Sequence, residues 1–210
     1  MSTVSSNNIH LFNKSLRYEQ PADIIKFALQ LAKNPWLTTS FGPYSAALLY
    51  AVTKQDKNMP VVWCDTGFNT QATYTHANDL IGGLQLNIEI FTPEYTTAFI
   101  KNTLGEPTID NPKHESFSEL VKLKPFKKAL RKYKPDVWFT NLRKRQTDYR
   151  DSIDILSFTE DGVLKVCPFY HFDDSQMLDY LKNHNLPVEF DYYDPVKALE
   201  NRECGIHLPG

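Results

Sequence analysis

Hydrophobic positions come in two rhythms that alternate along the chain. Ile24, Ile25, Phe27, Ala28, Leu29 and Leu31 recur at helical spacing and predict a helix over 21–33, with Pro21 suited to its first turn. Trp36 to Phe41 is an apolar run of strand length, and Ser45 to Thr53 is an apolar helix; only Gly42, Pro43 and Tyr44 separate them. Pro60-Val-Val-Trp-Cys-Asp65 is apolar throughout its middle, the pattern of a strand covered on both faces. Thr66-Gly67 ends that run, and a helix over 69–80 follows, with Asn69 as its cap. A strand over 86–91 and a helix around 94–101 repeat the unit. Such strand–helix repeats imply an α/β fold with a mainly parallel sheet flanked by helices and joined by right-handed crossovers.

The second half is more polar. Residues 103–118, with Pro107 and Pro112, read as a loop or mobile lid. A basic helix over 125–133 precedes a buried strand over 136–140. Two runs, 153–159 and 163–167, flank Glu160-Asp161-Gly162, a hairpin signal. An amphipathic helix over 173–183 begins at the capping residue Asp173. This divides the chain into a loosely ordered segment over 1–20, an α/β domain over 21–190 and an aperiodic tail over 191–210.

Candidate chemistry starts at the sharp turn after the first strand. A strand that turns abruptly into a helix points backbone N–H groups and the positive helix end at one spot, which attracts anions such as phosphate. Gly42 permits close backbone approach, Pro43 tolerates the turn, and Ser40 and Ser45 supply hydroxyls. The same residues also fit an ordinary strand–helix connection capped by Ser45. In parallel sheets, ligands sit beyond the carboxyl ends of the strands. Ser40–Ser45 and Asp65–Gly67 occupy that edge in consecutive units and are expected to face one another.

The totals add three limits. A length of 210 residues suits one domain with a full core. No run is long enough to span a bilayer, and the polar N-terminus does not resemble a signal peptide, so a soluble, cytoplasmic protein is expected. Cys64, Cys167 and Cys204 are an odd number without a CxxC pair, which argues against a disulfide framework, a zinc ribbon or a cysteine-ligated cluster. Net charge is −2, yet residues 113–150 hold 12 Lys or Arg against 4 Asp or Glu. That surplus fits a solvated helical face, an anionic ligand or nucleic acid. Cys64 and Cys167 lie in apolar strands and read as packing residues. Cys204 stands beside Arg202, Gly205 and His207, where cationic neighbours favour thiolate over thiol, as a nucleophile requires; an incidental thiol on a frayed tail is the bland reading.

Five ordered motifs resemble the phosphoadenylyl-sulfate (PAPS) reductases. Ser40-Phe-Gly-Pro-Tyr-Ser-Ala46 is similar to the family's modified pyrophosphate loop, and Asp65-Thr-Gly67 to the Asp-Thr-Gly after the second strand. Lys122-Leu-Lys-Pro125 resembles Lys-Val-Glu-Pro. Leu142-Arg-Lys-Arg-Gln146 with Arg150 resembles Leu-Arg-Arg-x-Gln-Ser-x-x-Arg, and Glu203-Cys-Gly-Ile-His207 the C-terminal Glu-Cys-Gly-[Leu/Ile]-His. The resemblance implies an adenine-nucleotide α-hydrolase-like (Rossmann-like) fold. It also implies nucleotide or substrate binding by Ser40, Phe41, Gly42, Ser45, Asp65, Thr66, Gly67, Lys122, Arg143, Arg145, Arg150 and His207. Cys204 would attack the sulfur of PAPS, forming an enzyme S-sulfonate and releasing adenosine 3′,5′-bisphosphate; thioredoxin or glutaredoxin would then free sulfite. No bound cofactor, metal or iron–sulfur cluster, no membrane and no nucleic acid is expected, and a homodimer is. Two departures stand out. Asp194-Pro-Val-Lys-Ala-Leu-Glu-Asn-Arg202 replaces a longer basic and aromatic stretch, and Asn141 stands where relatives commonly carry glycine. The related adenylyl-sulfate reductases that carry an iron–sulfur cluster would show paired cysteines, and an ATP pyrophosphatase or sulfur-insertion enzyme on the same fold would show Ser-Gly-Gly-x-Asp-Ser, whose magnesium-binding carboxylate is missing here. A nucleic-acid-binding protein or a nucleotide sensor would use the basic stretch without Cys204.

Overall fold

A six-stranded sheet in the order β3-β2-β1-β4-β6-β5 organises the chain. The computed structural model describes residues 4–106, 108, 110–144, 147–196 and 206. The strands are β1 (Pro35–Thr39), β2 (Val61–Cys64), β3 (Ile88–Phe91), β4 (Val137–Phe139), β5 (Leu156–Phe158) and β6 (Leu164–Val166). All neighbouring pairs are parallel except β5 with β6, the predicted hairpin. β2 and β4 are apolar throughout because helices cover both faces, whereas β1 ends in Thr38-Thr39 and β6 carries the buried Lys165. Successive side chains alternate, so Leu37 and Phe139 enter one core with α3 (Ser45–Gln55), while Trp36 and Trp138 enter a second with α7 (Lys124–Tyr133).

β1 pairs with β2 on one side and with β4 on the other, Leu37 lying opposite both Val61 and Phe139. The chain winds from β1 outward through β2 and β3 and then crosses back to β4. That reversal opens a crevice at the carboxyl ends of β1 and β4, where the loops leave in opposite directions.

Three expectations are corrected. The N-terminal segment expected to be loosely ordered carries α1 (Ile9–Leu16). Its Asn13 amide donates to the Leu156 carbonyl and accepts from the Leu156 N–H, at 2.9 and 2.8 Å, so the helix is fastened to the edge strand β5. The expected loop over 103–118 ends in α6 (His114–Ser118), which runs through a π-turn (Glu119–Leu123) into α7. Finally, α4 (Gln71–Leu84) is capped by Thr70, whose hydroxyl accepts from the Thr73 N–H; Asn69 instead donates to Asp65. Asp173 does cap α9 (Asp174–Asn183), in a reciprocal capping box with Gln176. Among the described residues no helix is long and apolar enough to cross a membrane.

Candidate active site

The turn after β1 is built on Phe41. Its φ of +51° reverses the chain, a left-handed conformation that costs a bulky residue roughly 1–2 kcal/mol. Burial of the ring, 1% exposed and edge-on to Trp63 at 4.9 Å, offsets that cost. Phe41 therefore lies under the turn as a core residue rather than in the cavity above it. The Ser45 N–H donates to the Gly42 carbonyl at 2.9 Å, closing the turn onto the N-terminus of α3.

A cavity of about 330 Å³ opens at the crevice between β1 and β4. Ser40, Gly42 and Ser45 form one wall; Thr140, Asn141 and Arg143, leaving β4, form another, with Arg150 from α8 (Asp148–Asp151). Val62, Cys64, Phe126 and Ile206 make an apolar pouch on the α7 side. Lys122, Tyr192 and Asp194 complete the lining.

Two buried polar atoms in this wall lack partners among the described residues: Ser45 Oγ and Asn141 Oδ1. Asn141 Nδ2 is already spent on the Tyr44 carbonyl at 3.0 Å. An unpaired buried polar atom costs about 1–3 kcal/mol, which a ligand bringing matching groups would relieve. Ser45 also opens the positive end of α3, so a phosphate or sulfate oxygen suits its hydroxyl.

The cations are placed unequally. Arg143 is 5% exposed; it donates to Asp174 Oδ1 at 2.7 Å and to the Phe172 carbonyl at 3.2 Å, and its guanidinium stacks 4.6 Å over Tyr44. That hydrogen bond pulls the Asp174 carboxyl below its ordinary pKa, and burial followed by the Asp174 charge raises the Tyr44 phenol. Arg143 thus stiffens the cavity wall as well as adding charge. Arg150 is 7% exposed, and its carbonyl accepts from the Tyr170 hydroxyl at 2.6 Å. Lys122 pairs with Asp194, Nζ to Oδ2 at 2.5 Å.

Asp65, Thr66 and Gly67 stand at the end of β2 but do not line the cavity. Asp65 Oδ1 accepts from the Gly67 N–H, the Asn69 amide and the Tyr74 hydroxyl, and Thr66 Oγ1 from the Phe68 N–H. Gly67 has φ +78°, and an added Cβ would lie 2.7 Å from Thr97 Oγ1. This motif shapes the loop leading into α4. Its link to the site is indirect, through the Thr70 hydroxyl, which donates to the Asp191 carbonyl at 2.7 Å.

Cys204, His207 and Arg145 lie outside the described residues. Ile206, between Cys204 and His207 in sequence, is described, and it packs on both the Trp36 and the Val196 clusters while lining the cavity. Cys167 is fully buried, its thiol pushed up to about 12 by desolvation, which suits a packing role. Cys64, read from sequence as packing alone, is half-buried in the cavity wall. Sequence reasoning also missed Tyr192 and Asp194, which belong to an aperiodic stretch. Among the described residues no group of three or more His, Cys, Asp or Glu side chains could hold a metal ion.

The Gly42 backbone lies beneath the Tyr192 ring, and a Cβ there would meet that ring at 3.5–3.7 Å, ordinary contact. Gly42→Ala is therefore expected to fold and bind ligand. Gly42→Val adds two methyls against the ring and is expected to weaken ligand binding about tenfold or more by titration and to lower the melting temperature by a few degrees.

The family model described as the phosphoadenosine phosphosulfate reductase domain matches residues 34–193. The chain belongs to that family. A phosphoadenosine 5′-phosphosulfate reductase of Proteus mirabilis is 30% identical over 83% of this chain and 72% of its own length. One of Xylella fastidiosa is 30% identical over 95% and 92%. Such relatives make this phosphoadenosine phosphosulfate reductase family member an enzyme of the same kind. The fold agrees: a crystal structure of PAPS reductase from Candida auris, in a phosphate complex, superposes with TM-score 0.77 at 21% identity, covering 90% of both chains. The tRNA thiolase NcsA of Methanococcus maripaludis, with TM-score 0.58 and 14% identity over 90% of this chain and 70% of its own, shares the fold alone.

Proposed function

We propose that this protein reduces PAPS through Cys204, with the switch-point cavity holding the nucleotide. The observation that carries the reading is the meeting, in one cavity, of the β1–α3 turn, the basic segment after β4 and Ile206 of the C-terminal motif. One residue, Gly205, separates Cys204 from Ile206, and two residue steps span at most about 7 Å, within reach of the same cavity.

The Ser45 hydroxyl and the α3 N-terminus hold the phosphosulfate, with Arg150 adding charge, and the pouch of Val62, Cys64, Phe126 and Ile206 takes the base. The Cys204 thiolate attacks sulfur in line with the leaving nucleotide. A sulfur–sulfur bond forms as the bond from sulfur to the 5′-phosphate oxygen breaks, and adenosine 3′,5′-bisphosphate leaves with that electron pair. Fixed cations offset the charge developing on the leaving phosphate. A thiolate of thioredoxin or glutaredoxin then attacks Cys204 Sγ and expels sulfite; the second donor thiol displaces Cys204, so the donor dithiol is oxidised to a disulfide. No metal or iron–sulfur cluster takes part in this scheme.

The test omits the reductant. Protein incubated with PAPS alone is expected to gain one sulfonate, seen by intact mass and mapped to Cys204, with one equivalent of adenosine 3′,5′-bisphosphate released. Nucleotide release without an adduct would sink the covalent route.

A further inference from the structure

The cavity carries a carboxylate where the proposed ligand brings negative charge. Asp194 Oδ2 lies 2.5 Å from Lys122 Nζ and 3.5 Å from the Tyr192 hydroxyl, and its Oδ1 accepts from the Val196 N–H at 3.1 Å. The two ionic side chains are 4% and 8% exposed, and both line the cavity. The stretch bearing Asp194 is held along its length. The Asp191 carbonyl accepts from Thr70, the Tyr192 hydroxyl bonds Ser40 Oγ at 3.0 Å, the Pro195 carbonyl meets His114 Nε2 at 3.0 Å, and Val196 is buried against Ile100, Phe117 and Val121. Asp194 is therefore a fixed part of the wall.

We infer that Asp194 is a specificity-determining residue: its carboxylate occupies Lys122 and competes there with the anionic group of any ligand, so small inorganic anions are turned away. A lone ammonium in a partly desolvated cavity attracts sulfate or phosphate several times more strongly than it does in bulk water. With Asp194 beside it, the pair is neutral, and sulfate has too few other contacts to displace the carboxylate. A nucleotide joins two holds that sulfate cannot, its base in the apolar pouch and its phosphate at the Ser45 hydroxyl and the α3 N-terminus. The ligand's identity rests on the reductase reading; the competition at Lys122 rests on the ion pair alone.

The test titrates the full chain with inorganic sulfate and with adenosine 3′,5′-bisphosphate at matched ionic strength. Asp194→Asn is expected to bind sulfate about tenfold or more tighter than wild type, because one negative charge leaves the cavity. The gain should vanish in Lys122→Met/Asp194→Asn. Tyr192→Phe, which loses the Ser40 bond and the longer contact to Asp194 without changing charge, should alter sulfate affinity less than about threefold. Unchanged or weaker sulfate binding by Asp194→Asn, or a gain that survives in the double variant, overturns the inference. A second reading needs no variant: sulfate, against a chloride control, should weaken bisphosphate binding to wild type less than about twofold, and strong competition overturns it. If wild type binds no bisphosphate, the reductase reading fails, and the sulfate titrations still decide this one.

Discussion

Cys204→Ser is expected to release no sulfite from PAPS while binding adenosine 3′,5′-bisphosphate within about twofold of wild type. A serine hydroxyl is not ionised at neutral pH and has no base assigned to it here, so attack on sulfur is lost. Even a sulfate ester on serine would be a dead end, because the donor thiol needs a sulfur–sulfur bond to exchange with. The groups proposed to hold the nucleotide, Ser45, Arg150 and the apolar pouch, are untouched by the substitution. A coupled thioredoxin assay for sulfite and a bisphosphate titration read the two halves separately. Undiminished turnover removes the mechanism, and loss of binding together with turnover moves Cys204 from chemistry to substrate binding.

The second large effect is on stability. Lys122→Met should lower the free energy of unfolding by about 3–5 kcal/mol, because it removes the ammonium paired with a carboxylate that is 4% exposed. The Val196 N–H and the Tyr192 hydroxyl also hydrogen-bond Asp194, and neither neutralises it. Adding Asp194→Asn should return most of the loss, since an amide needs no cation. Denaturant midpoints of the four proteins in this cycle give the coupling. If Lys122→Met unfolds at the wild-type midpoint, the pair contributes nothing to the fold.

Much of the framework was legible in the chain because burial leaves a pattern. Val61–Trp63 and Val137–Phe139 are apolar on both faces, as strands between two helical layers must be. The Gly162 turn and the Asp173 cap are local signals that structure obeys locally. The misses share one cause. Asn13 looks like a polar residue in a weak segment until its amide meets both backbone groups of Leu156, 143 positions away. Asn69 and Thr70 are equally good caps by type; Asp65 claims Asn69 and leaves the helix to Thr70. For Phe41 and Asp65, both expected at the binding site, tertiary packing adds what the motifs do not show: the ring is buried in the core and the carboxylate accepts from its own loop.

Sequence alone determined that this is a parallel α/β domain with a sharp glycine-containing turn after its first strand and a basic segment after a buried strand, since hydrophobic period and turn chemistry are short-range properties. Tertiary structure decided that the turn and the basic segment share one cavity, and that Lys122 enters it already paired with Asp194. Those facts depend on strand order and on contacts between residues about seventy or more positions apart, and no local pattern encodes them.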